Sequence, residues 1–206
     1  GRLEPAGKGR AVVERGGKLW LERAADRYLD GDPARAVFVD AALTYEGVPV
    51  QSLTGLDHLE GMEVQILADG AVHPARTVAS GRVNLERKAG IVTAGLGYVA
   101  DLETMPVEVM GQNGSSVAMK KQINAVDVLF RNSLGVKVGL SFDDARMQSV
   151  KWRINEPYGK PPAPYSGMKS VVMPALADNS VAVCIRSDLP TPVSVLALVS
   201  RIQVIQ

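Results

Sequence analysis

Apolar and polar positions alternate along most of this chain, and the alternation is that of strands. Met62, Val64 and Ile66 alternate with Glu63 and Gln65, the period of two that marks a half-buried strand. Asp69-Gly70 follows, and the chain returns through Ala71-Val72-His73. Asp-Gly between two such runs predicts a two-residue hairpin turn, because both central positions need positive φ. Just upstream, Gly55 to Gly61 is a compact turn bracketed by glycines, with Thr54 expected to cap its first N–H groups and Asp57 at the reciprocal position. The stretch from Ala36 to Pro74 thus reads as strand, tight helical turn, strand, hairpin, strand, and the remainder is organised around it.

Upstream, Gly1 to Arg10 is polar and glycine-rich and reads as a linker. Ala11 to Arg23 reads as a second hairpin turning at Gly16-Gly17, and Glu22 to Leu29 as one short helix ended by Asp30-Gly31-Asp32-Pro33. Downstream of Pro74, turn signals recur at Ser80-Gly81, Lys88-Ala89-Gly90 and Gly95-Leu96-Gly97, with short strands Arg82–Glu86 and Ile91–Thr93 between them. Val107 to Met110 is a further strand, and Gly111 to Ser116 reads as a linker. In the second half Val126, Val128 and Phe130 share one face, as do Val136, Val138, Leu140 and Phe142, and Val150, Trp152 and Ile154. Glu156 to Tyr165 is a stiff, proline-rich loop. Val171–Met173, Val181–Ile185 and Val193–Val204 complete the strands; the last is long and apolar, and is expected either in a sheet centre or at a subunit interface. The fold class is mainly β: small β-barrel or sandwich modules with very little helix. The expected organisation is a linker and hairpin over residues 1–35 continuing an upstream part, a barrel-like module over 36–111 and a sandwich-like module over 117–206.

Composition narrows the chemistry. Lys plus Arg is 23 and Asp plus Glu is 22, so no net field draws the molecule to nucleic acid or to an anionic membrane. The two basic pairs, Arg87-Lys88 and Lys120-Lys121, lack interleaved aromatics and read as wet faces. The single cysteine, Cys184, lies in an apolar run and reads as a buried, inert thiol; one thiol supports neither a disulfide framework nor a multi-thiolate zinc site. No apolar run reaches the roughly 20 residues of a membrane-spanning helix, and no membrane insertion is expected.

Catalytic and ligand-binding signals are sparse. His58, Asp57 and Ser52 contain the residue types of a nucleophilic triad, but no nucleophile elbow accompanies them, and local turn capping is the expected role of both His58 and His73. Asp143-Asp144 lacks a calcium-loop spacing and reads as a solvated turn. Gly95-Leu96-Gly97 lacks the third glycine and the helix of a dinucleotide site. No catalytic, cofactor-binding or metal-binding residue is assigned, no cofactor is implied, and no enzyme is expected.

Several stretches resemble a known family. Phe38-Val39-Asp40, Leu43-Thr44-Tyr45-Glu46-Gly47, the run from Leu53 to Gly61 and Leu67-Ala68-Asp69-Gly70 are similar to a pattern of the long tail proteins of short-tailed bacteriophages, known as tail nozzle, tail tubular or packaged-DNA stabilisation proteins. Asn124–Arg131, Leu134–Gly139, Tyr165-Ser166-Gly167 and Leu189–Leu198 extend the likeness, which covers roughly Leu19 to the C-terminus. It departs at Ser200-Arg201-Ile202, where the family pattern has Pro-Glu. The resemblance implies the C-terminal part of a longer structural virion protein, in keeping with Gly1 in place of methionine. It also implies a homo-oligomeric, hexameric ring around the DNA exit channel, with adaptor or tail-fibre proteins as neighbours and non-specific, transient passage of DNA during ejection. The location it implies is the virion tail, assembled in the host bacterial cytoplasm. The Glu156–Tyr165 loop is expected to dock on a neighbouring subunit. Two other classes remain open: a receptor- or carbohydrate-binding β module of a tail, and a tail-associated hydrolase with carboxylates at glycosidase separation.

Overall fold

A computed structural model describes residues 9–15, 17–24, 32–111, 114–116, 119–153 and 160–205. These residues are mainly β with very little helix, as expected, and they divide into two compact units. The first holds the chain through Tyr98 together with Leu189–Thr191; the second holds the rest from Val99 onward apart from a short piece ending at Pro161.

In the first unit, β1 (Arg10–Arg15) and β2 (Lys18–Arg23) form the expected antiparallel hairpin. Glu22 and Arg23 therefore belong to a strand rather than to the start of a helix; Ala25–Leu29 lie outside the described residues. β3 (Asp40–Thr54), β4 (Glu63–Ala68), β5 (Ala71–Thr77) and β6 (Arg82–Leu96) make one antiparallel sheet in the order β3-β6-β4-β5. The Asp69-Gly70 turn is present with φ of 50° and 79°, and Ser80-Gly81 turns in the same way with 53° and 66°. Both are left-handed pairs that match the twist of the flanking strands.

The sheet is open rather than a closed barrel, and two sequence readings are corrected within it. Lys88-Ala89-Gly90 and Gly95-Leu96 do not turn the chain; they lie inside the long β6, which pairs with β3 through several register shifts. The glycines serve close approach instead: a Cβ on Gly95 would stand 2.5 Å from the Asp40 carbonyl oxygen, and one on Gly90 3.3 Å from that of Gly47. This part of β6 is tied to the hairpin, where Asp69 Oδ1 accepts the N–H groups of Gly90 (3.0 Å) and Ile91 (2.8 Å). Leu53, Leu56, Leu59, Val64, Ile66, Val83 and Val92 fill the core. Met62, grouped with Val64 and Ile66 in the alternation, lies before the start of β4 and is exposed.

The second unit has two four-stranded antiparallel sheets over one core, and a separate two-stranded one. β7 (Ala100–Glu103) is followed by a two-residue hairpin of β8 (Met110–Gly111) and β9 (Gly114–Ser115), and then by β10 (Lys120–Ser133), the longest strand of this unit. β11 (Lys137–Gly139), β12 (Gln148–Ser149), β13 (Tyr165–Val172), β14 (Ala177–Asp178), β15 (Cys184–Ser187) and β16 (Val195–Ile205) complete it. One sheet runs β12-β11-β15-β7; in the other, β13 and β14 lie on one side of β10 and β16 on the opposite side. Val126, Val128, Phe130, Val138, Trp152, Val183 and Ile185 meet between the sheets, with Phe130 and Trp152 edge to face at 5.0 Å. The predicted face of Val126, Val128 and Phe130 is thus the core face.

Other expectations need adjusting. The unit boundary falls between Tyr98 and Val99, not within Gly111–Ser116, because β7 already pairs with β15. Ser116 is anchored rather than free. Its hydroxyl accepts the Val109 N–H at 2.9 Å, and the fully buried Lys121 donates from Nζ to the Ser116 carbonyl (3.1 Å) and to Glu108 (2.9 Å). A buried ammonium needs such partners, and holding them ties this loop to β10. Val107 is loop, although it packs on the core. Leu140 and Phe142 lie past the end of β11 and are only half-buried; Val150 and Trp152 are buried without being in a strand, and Ile154 lies outside the described residues.

Candidate functional site

The histidines serve the fold. The turn Asp57–Leu59 is a single 3-10 turn that begins after Leu56, with no side-chain cap, so Thr54 and Asp57 do not form the expected capping pair. The closing interaction comes from Glu60, whose carboxylate accepts the N–H groups of Ser80 (2.8 Å) and Gly81 (2.7 Å). Those bonds, the one from Gly81 first, hold the Glu60 carboxyl below its ordinary range. His58 bonds through Nε2 to the Ala41 carbonyl at 2.9 Å and lies against Trp20, ring centres 5.3 Å apart. It is engaged by backbone and aromatic ring, and no Ser52–His58–Asp57 relay forms.

His73 is only 7% exposed and works across strands rather than as a local cap. Its Nε2 accepts the Glu86 N–H of β6 at 2.9 Å, so Nδ1 carries the proton and donates to the Pro74 carbonyl at 2.8 Å. This imidazole links β5 to β6, strands that share no ladder. The chain signal for such a role was only a histidine at an inward position of a strand.

Asp143-Asp144 is not a cation loop. Asp143 accepts the Ala145 N–H and pairs with Arg146, while Asp144 pairs with Lys137 (3.2 Å) and Arg186 (3.5 Å). Arg186 also grips Asp101 through two 2.8 Å bonds, which lower the Asp101 carboxyl from its usual range. No group of three or more His, Cys, Asp or Glu side chains suited to a metal occurs among the described residues. Cys184 is buried as expected, and burial raises its thiol pKa, which makes it a poor nucleophile at neutral pH. Along the rim of the first unit an open groove is lined by Arg76, Thr77, Arg82, Asn84 and Glu86, with Arg76 bound to Glu86 at 2.7 Å.

What stands out is an apolar surface. The sheet of β13, β10 and β16 buries one face in the core, so its other face should be polar. Its register places Val172 and Met168 of β13, Leu129 of β10, and Ala197 and Val199 of β16 on that outer face. Val172 is 75% exposed, Met168 53% and Val199 52%. At the centre, Asp127 accepts from Arg201 Nε (3.1 Å) and Nη2 (2.8 Å); the Ser170 hydroxyl, then Arg201, hold its carboxyl below the usual range. The pair cancels its own charge; Ser170 beside it and Asn124 with Gln203 beyond it are polar, so the apolar part of the face is that carrying Met168, Val172, Leu129, Ala197 and Val199. β16 pairs with β10 on one side, and among the described residues no strand pairs with its other side. The hairpin β1–β2 carries a smaller patch of the same kind, Val12, Leu19 and Leu21.

The long apolar run near the C-terminus is therefore an edge strand among the described residues, not the sheet centre that was one of the two places its sequence allows. Compared with protein-family models and with curated proteins, the chain matches none.

Proposed function

We propose that this chain is a structural subunit of the tail of a short-tailed bacteriophage, a building block of the nozzle or tail tube whose copies form a ring around the DNA exit channel. The observation that carries the reading is the eleven-residue strand β16, paired on one side only among the described residues, at the margin of a sheet whose outer face carries exposed Val172, Met168 and Val199. A long apolar edge is an aggregation hazard unless another chain covers it, and closed homo-oligomers are the usual way of covering it.

The resemblance supports the same reading. The residues that carry it are engaged in the fold: Leu53, Leu56 and Leu59 in the core, Glu60 on the Ser80-Gly81 turn, Asp69 on the Gly90 and Ile91 amides of β6. That is the use expected of residues that shape a building block. The near equality of 23 basic and 22 acidic residues suits a channel through which DNA passes, because each neutralised phosphate would add salt-dependent grip. Adaptor and fibre proteins are its proposed neighbours, and the virion tail its proposed location. The Glu156–Tyr165 loop is proposed to dock on a neighbour; residues 154–159 lie outside those described.

Electron microscopy of the purified chain tests the reading. Rings with a central opening are expected; a field of single small particles at micromolar concentration, with affinity for saccharide, would favour the receptor-binding alternative instead.

A further inference from the structure

We infer that copies of this chain join head to tail through the two free edges of one sheet, with β16 of one copy lying beside β13 of the next. The inference rests on the assembly reading above and names the surface that performs it.

β10 is the middle strand of its sheet, and both of its long neighbours run antiparallel to it. β13 and β16 therefore run in the same direction on opposite sides of β10. Neither has a second strand partner among the described residues. An operation that repeats the same step from copy to copy keeps strand direction, so it brings β16 beside the next β13 as a parallel pair and continues the sheet. Each then supplies partners for N–H and C=O groups that the other leaves without a strand; on β13 the Met168 carbonyl already accepts from Tyr165 Oη at 3.0 Å, so the join uses the rest of that edge.

The side chains agree with that join. At one margin the outer face ends in Met168 and Val172; at the other it ends in Val199 and Leu196, the latter 58% exposed. Joining the margins makes one apolar band across the junction. The charged pair nearest to it, Asp127–Arg201, is already matched, so the join leaves no new unpaired charge from that pair. A symmetric β16–β16 contact would cover one margin and leave Met168 and Val172 bare. It would also stop at a dimer, whereas two different margins build a ring.

The test uses two double variants of the full chain, Leu196→Lys with Val199→Lys on β16, and Met168→Lys with Val172→Lys on β13. All four positions are exposed, and unchanged far-UV circular dichroism checks the fold. By sedimentation velocity the wild type forms a closed oligomer, and each variant alone is a monomer. Mixed in equal amounts they form a one-to-one dimer and nothing larger, because one intact β13 meets one intact β16. As a check without substitutions, backbone amides of β13 and β16 in the wild type gain hydrogen-exchange protection together as concentration rises. A β13 variant that assembles like the wild type, or a mixture that stays monomeric, overturns this join while leaving assembly by another surface intact. A wild type that is monomeric throughout overturns the assembly reading itself.

Discussion

His73 offers the sharpest test of how the first unit is held. Replacing it with Phe keeps an aromatic ring of similar bulk but removes the acceptor for the Glu86 N–H and the donor for the Pro74 carbonyl. Each lost hydrogen bond is worth about 0.5–1.5 kcal/mol net, and a buried donor left alone costs about 1–3 kcal/mol. The Glu86 side chain is exposed, which lets water reach part of that region, so the expected loss for His73→Phe is about 1–3 kcal/mol. Gln places an amide oxygen near the position of the imidazole Nε2, so His73→Gln should restore the bond to Glu86 but not the one to Pro74. Its loss should be about half as large, about 1 kcal/mol. Urea unfolding at pH 7 reads both values as shifts in midpoint at constant slope. Hydrogen exchange reads the bond itself: the Glu86 amide should lose protection in the Phe variant and retain it in the Gln variant. Equal stability of the two variants, or a Glu86 amide that exchanges at the same rate in all three proteins, would refute the bridging role.

Three further predictions follow from other parts of the molecule. Leu59→Ala, at a fully buried position under the 3-10 turn, should cost about 2–5 kcal/mol in urea unfolding, and a loss below 1 kcal/mol would contradict its place in the core. The carboxyls of Glu60, Asp101, Glu108 and Asp127 are all lowered by their hydrogen-bond donors, so their stabilising contribution is complete above the ordinary carboxylate range and is lost as pH falls through and below about 4. Urea midpoints should therefore hold near neutrality and drop on acidification, and a midpoint unchanged between pH 7 and pH 3 would count against these pairings. Cys184 should resist a thiol reagent at pH 7 in the native protein and react at once in denaturant, whereas rapid native modification would place it at the surface.

Much of this architecture is legible in the chain, for local reasons. Asp69-Gly70 and Ser80-Gly81 announce turns because few other residues accept two successive left-handed conformations, and Val126, Val128 and Phe130 announce a core face by simple alternation. The misreadings share one physical origin. Gly90 and Gly95 carry the same letter as a turn glycine but serve close strand approach, which depends on Gly47 and Asp40 far away in sequence. Ser116 looks like linker until Lys121 and Val109 are seen to hold it. His73 and Asp69 act on backbone groups of β6 across the sheet, at sequence distances no spacing rule covers. The outer face of the β13–β10–β16 sheet was partly visible as a long apolar tail, but its position at an edge is a property of topology.

The mass of the purified wild-type chain in solution bears most directly on the idea that this protein works by assembling with itself. Sedimentation equilibrium across nanomolar to micromolar concentrations should give a species several times the 21.9 kDa of one chain, with a single closed stoichiometry at the upper end. A particle of 21.9 kDa at every concentration would contradict it.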